Sequence, residues 1–120
     1  MLVSTDKTEN EEIRRVIDVI AENGDAANMV VCGIHTAFLK ENQDAYDGFL
    51  ALMTQIDPSR PREKIVACNL METFIAAAKD YTPTAQKWVS DVVVATQKSH
   101  PILFDESLQK AADELLLRLK

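Results

Sequence analysis

The chain is poor in the residues that make turns: three glycines and four prolines among 120 residues. An all-β design with many tight turns needs more of both, so the scarcity favours helices. The three glycines also stand apart from one another, which excludes a glycine-rich phosphate loop. No apolar run approaches the roughly 20 residues of a membrane span. The first residues, MLVSTDKTENEE, lack the basic end and apolar centre of a signal peptide. The expectation is a soluble, cytoplasmic chain that engages no membrane. Cysteine is scarce as well. Cys32 and Cys68 fall in different expected helices, and outside secretory compartments the expected state is two buried thiols rather than a disulfide.

Positive charge is in short supply. Thirteen Lys and Arg face nineteen Asp and Glu, a net charge of −6. The imbalance lies in residues 1–60, with eleven acids and five bases, whereas residues 61–120 carry eight of each. Phosphate binding needs a basic surface, so nucleic acid is a poor partner for this chain. The acidic half is either a solvated face or a surface for a basic protein.

What is present is an ordinary core content. Apolar residues make up 47% of the sequence, enough for one domain of this length to bury a core without staples. Local signals divide it into six helical segments. Thr8 and Glu11 have capping-box spacing, followed by Ile13, Val16, Ile17 and Ile20 at helical intervals. Asn23-Gly24 is expected to end this helix, with the glycine left-handed. A second helix, capped by Asp25, is apolar around most of its circumference, which predicts a central position. Gly33 and Ala37 on it are expected to admit a neighbouring helix closely.

Asp44 opens a third helix with Tyr46, Phe49, Leu50, Met53 and Ile56. Pro58 and Pro61 bracket a loop, and Pro61 suits the first turn of a fourth helix over about 61–79. Its expected inner face holds Ile65, Cys68, Met71, Glu72 and Ile75 on adjoining turns, widened by Val66, Leu70 and Phe74. Thr82-Pro83 opens a fifth helix, which includes the β-prone run Val92-Val93-Val94. Asp105 caps a sixth, with Leu108, Ala111, Ala112, Leu115, Leu116 and Leu119 on its stripe. Segment starts near 8, 25, 44, 61, 83 and 105 fit helices joined by short loops.

The expected fold is therefore all-α, a compact bundle of five to six short helices joined by short loops. The alternative is three stacked helical hairpins, a fragment of an α-solenoid. Residues 1–7 are expected as a loose N-terminal tail and 8–120 as a single helical domain.

Chemistry-bearing residues are few. Cys32, His35, Cys68 and His100 match the inventory of a zinc site, but only Cys32 and His35 are close in sequence, and structural zinc sites use close pairs. Di-iron carboxylate sites need a Glu three residues before a His, and positions 32 and 97 are Cys and Gln. Glu41, Asp44 and Asp47, three apart, are candidate Mg²⁺ ligands or simply acids favoured at a helix start. Arg60, Arg62 and Lys64 gather at a helix N-terminus, where an anion or an acidic peptide would dock.

The expected function is a non-catalytic protein–protein interaction module: an adaptor, inhibitor or regulatory subunit that also self-associates as a homodimer. No cofactor is expected. Cys32, His35 and Leu39 on the second helix, with Arg60, Arg62 and Lys64, are the expected partner-binding residues. The alternative is a small metal-dependent enzyme or ligand-binding bundle, using Glu41, Asp44 and Asp47 for Mg²⁺ or the two Cys-His pairs for zinc.

Overall fold

Helix boundaries follow from which side chains can satisfy the free amides at each start. The computed structural model describes the backbone of residues 2–119 and the side-chain surroundings of residues 11–119. Helix α1 spans Leu2–Glu22 and α2 spans Gly24–Leu39. Asn23 alone separates them. It is extended, and its side chain accepts from the amides of Asp25 and Ala26. The cap is thus Asn23 rather than Asp25, and Gly24 is not left-handed; it is the first residue of α2. The start of α1 also differs from expectation. No Gly or Pro interrupts residues 2–7, so the helix runs on to Leu2, and Thr8 and Glu11 lie within it.

Helix α2 ends in a Schellman motif. The Glu41 amide donates to Phe38 O and the Asn42 amide to Ala37 O. Glu41 takes the left-handed position, φ 55°, that glycine usually fills. Asn42 then caps α3, Gln43–Gln55, by accepting from the Asp44 amide. Helix α4, Pro61–Ala77, starts on its proline and runs into a 3-10 turn over Ala78–Asp80. Thr82 caps α5, Pro83–Ser99, and Asp105 caps α6, Glu106–Arg118, both through side-chain oxygens as expected. The valine run is helical: Val92 and Val93 are fully buried. Packing overrides their β propensity.

The result is the all-α bundle expected, with no strand among the described residues. Its radius of gyration, 13.8 Å, matches the roughly 14 Å of a compact domain of this length. The solenoid alternative fails on contacts. The ring of Phe38 in α2 lies 5.6 Å from that of Trp88 in α5, so the first helical hairpin touches the third. In a solenoid each repeat meets only its neighbours.

Helix α4 is the central element, not α2. It buries Ala67, Leu70, Met71, Phe74 and Ile75, whereas α2 fully buries Phe38 alone. The inner face of α4 is rotated from the expected one: Ile65 is exposed, Cys68 is half-buried, and the charged Glu63 is buried. Val16 of α1 is likewise exposed. Among the described residues nothing lies within 4 Å of a Cβ added at Gly33, so none of them makes the close helix approach expected there.

The aromatic residues converge where α2 crosses α3, α4 and α5. Phe38 sits at the centre, its ring 5.6 to 5.9 Å from those of Phe49, Phe74, Tyr81 and Trp88. Phe49 and Phe74 are 4.6 Å apart, and Tyr46 stacks on Trp88 at 5.5 Å. Tilted and edge-on pairs at these distances are the favourable arrangements of aromatic quadrupoles.

Candidate functional site

The structure does not gather the four zinc candidates, and three of them have other partners. His35 Nδ1 is 2.7 Å from the Tyr81 hydroxyl, and His100 Nε2 is 3.1 Å from Thr54 O. His100 thereby serves a carbonyl in the last turn of α3, one that has no partner within its own helix. Cys68 Sγ points to Leu103 O at 3.8 Å. Burial, first, and the charge of Glu72, second, push its thiol pKa up. Cys32 is exposed, so the two thiols are not both buried, and neither is in a disulfide. Among the described residues no group of three or more His, Cys, Asp or Glu side chains is placed to hold a metal ion.

The acidic trio is divided in the same way. Glu41 is the left-handed terminator of α2, the Asp44 amide belongs to the α3 cap, and Asp47 accepts from Gln43 Nε2 at 3.4 Å. All three lie on the exposed surface. Their spacing reflects one helix end and the next helix start, each satisfying local backbone needs.

The basic cluster is only partly free. Arg60 turns back to Glu63, 3.3 Å, and to Asp57, 3.6 Å, while Arg62 and Lys64 remain exposed. Glu63 is the residue that the sequence reading missed. It is 4% exposed, and Arg14 of α1 reaches it at 2.8 Å. Its other oxygen accepts from the Asp57 amide at 2.9 Å. The hydrogen bond to Glu63 is the main cause that raises the Arg14 pKa. A first-turn acid is ordinary at a helix start, and nothing local marks it as buried.

Tyr81 completes the His35 contact. It is 5% exposed, and burial, aided by the charge of Asp80, pushes its pKa up to about 12. The Tyr81 hydroxyl and His35 Nδ1 share one hydrogen bond, whose direction follows the imidazole tautomer. A raised acid pKa means that the folded state holds its proton more tightly than the unfolded chain. This contribution is whole below pH ~10 and is lost as pH rises from about 10 to about 12, some 2 to 3 kcal/mol in all. Tyr81→Phe keeps the ring packing and should remove that slope. Urea unfolding of both proteins at about pH 9 and about pH 11.5 measures it, and equal losses in the two would refute this origin.

The surface with distinctive composition is the outer side of α2. From Ala26 to Leu39 the helix has no charged residue. Its exposed positions in that span are Asn28, Met29, Cys32, Gly33, Thr36 and Leu39. Met29 is 75% exposed and Leu39 47%. At 100° per residue the six fall within an arc of about 140°. Of the residues expected to bind a partner, Cys32 and Leu39 share this arc, while His35 turns aside to Tyr81. Beside it an apolar groove between α1 and α2 is lined by Val16, Val19, Ala26 and Val30, with Arg15 at its rim. Gly33 and Thr36 give the helix little lateral bulk, so another helix could approach its backbone closely.

No helix among the described residues is long and apolar enough to cross a membrane. Comparison with protein-family models, curated proteins and solved structures finds no match to this chain.

Proposed function

We propose that this protein works as a non-catalytic interaction module that binds protein, itself included, through the outer face of α2. One observation carries the reading: an exposed helix face four turns long with no charge and two bare large apolar side chains, Met29 and Leu39. Solvent-facing helix surfaces are ordinarily charged. Depletion of charge with enrichment of Met is the composition of the buried centre of a protein interface. The neighbouring groove with Val16 and Val19 extends the apolar area onto α1.

The test leaves the fold alone and changes only this face. Met29→Glu with Leu39→Glu places two charges where water already reaches, so helical content should stay that of the parent. Native mass spectrometry should show assembled bare chains for the parent and monomers for the variant. Assembly that survives the two substitutions would place the binding surface elsewhere, and a parent that is monomeric at every concentration would remove self-association from the reading.

A further inference from the structure

We infer that the partner on this face is a second copy of the chain, its α2 lying antiparallel across a two-fold axis, with Asp25 of each copy against the partner's Lys40. This rests on the reading of α2 as the binding surface and adds the partner, the direction and the register.

The uncharged span of α2 is closed by Asp25 at one end and Lys40 at the other, both exposed and both on the same arc as Met29 and Thr36. A face with one acid at its start and one base at its end is complementary to itself when turned end over end. Antiparallel pairing centred between residues 32 and 33 brings Asp25 opposite the partner's Lys40 twice, once at each end. Parallel pairing would set Asp25 against the partner's Asp25 and Lys40 against the partner's Lys40, and like charges across an interface are unfavourable. The antiparallel arrangement also opposes the two helix dipoles.

Side-chain sizes select the same register. With the axis between 32 and 33, Met29 faces the partner's Thr36, and the two lie within about 20° of each other on the arc. There the larger group meets a smaller one, which lets the two surfaces interdigitate instead of colliding. A slide of four residues separates Asp25 from the partner's Lys40 and loses the match. Gly33, which no described residue approaches within 4 Å of an added Cβ, then lies beside the axis where the two backbones come closest. Self-pairing is isologous, so one uncharged patch covers itself and the acidic remainder of the molecule stays in water.

The experiment uses the intact chain in four samples: the parent, two single variants and their mixture. Asp25→Lys alone turns both end contacts into Lys against Lys, and Lys40→Glu alone turns both into Asp against Glu. Each single variant should dimerise about tenfold more weakly than the parent, or worse, at low salt, with the difference shrinking in concentrated salt. Each changes one exposed residue at a helix end, so circular dichroism should report an unaltered fold. An equimolar mixture of the two, one of them tagged, should form the heterodimer. One end then sets the introduced lysine against the introduced glutamate, and the other keeps the parental contact of Lys40 with Asp25. Two single variants that associate as tightly as the parent overturn the antiparallel register while leaving the α2 surface reading intact. A mixture that fails to pair also overturns it. A monomeric parent overturns the second copy as partner.

Discussion

Phe38→Ala should cost about 4 kcal/mol and is expected to be the most damaging single change in the core. The ring is fully buried, and four other aromatic rings stand within 6 Å of its centroid. It is also the only fully buried side chain of α2 among the described residues. Truncation therefore does two things at once. It opens a cavity among Phe49, Phe74, Tyr81 and Trp88, and it withdraws the main anchor that holds α2 to α3, α4 and α5. A domain of this size has about 5 to 15 kcal/mol of stability, so the variant sits near the edge of folding. Urea unfolding should show a lower midpoint, and amide exchange in α2 should accelerate most. Phe38→Leu fills most of the space and should cost less than half as much. A loss under about 1 kcal/mol for Phe38→Ala would mean that the cluster relaxes around the gap and that α2 is held by its flanks.

Arg14→Met is the second. It removes the closer of the two guanidinium partners of Glu63 and leaves a carboxylate, 4% exposed, with Arg60 at 3.3 Å and one amide. Leaving a buried charge short of a partner should cost about 3 kcal/mol. The reverse deletion is milder. Glu63→Gln keeps an acceptor for the Asp57 amide, and the guanidinium groups it frees are partly in water. The decisive quantity is the double variant. Arg14→Met with Glu63→Gln should be more stable than Arg14→Met alone, because the second change removes the charge that the first left stranded. Additive losses measured by chemical denaturation would show that Glu63 acts as an ordinary surface acid.

How much of this was legible without coordinates depends on the range of the interaction concerned. The caps of α5 and α6 at Thr82 and Asp105, the proline start of α4 and the loop around Pro58 follow from contacts within about four residues. So does the all-α class. Even some local signals were ambiguous. Asn23-Gly24 fits a helix stop and a helix start equally well, and only the φ of Gly24 separates them. Glu41 in the left-handed position carries no sequence mark, because that position ordinarily belongs to glycine.

The sequence by itself determined the helical class, the number of helices, most of their ends and the uncharged span of α2. These are consequences of propensity, capping and hydrophobic period, which each residue and its near neighbours carry. Only the tertiary structure decided which way each helix faces. It made α4 central, left Ile65 and Val16 in water, and buried Glu63 against Arg14, 49 residues earlier in the chain. It also separated Cys32, His35, Cys68 and His100 and gave each histidine a different structural bond. The reason is geometric. Several apolar arcs on one helix satisfy the same periodicity, and the choice among them is made by the volumes and charges of other helices.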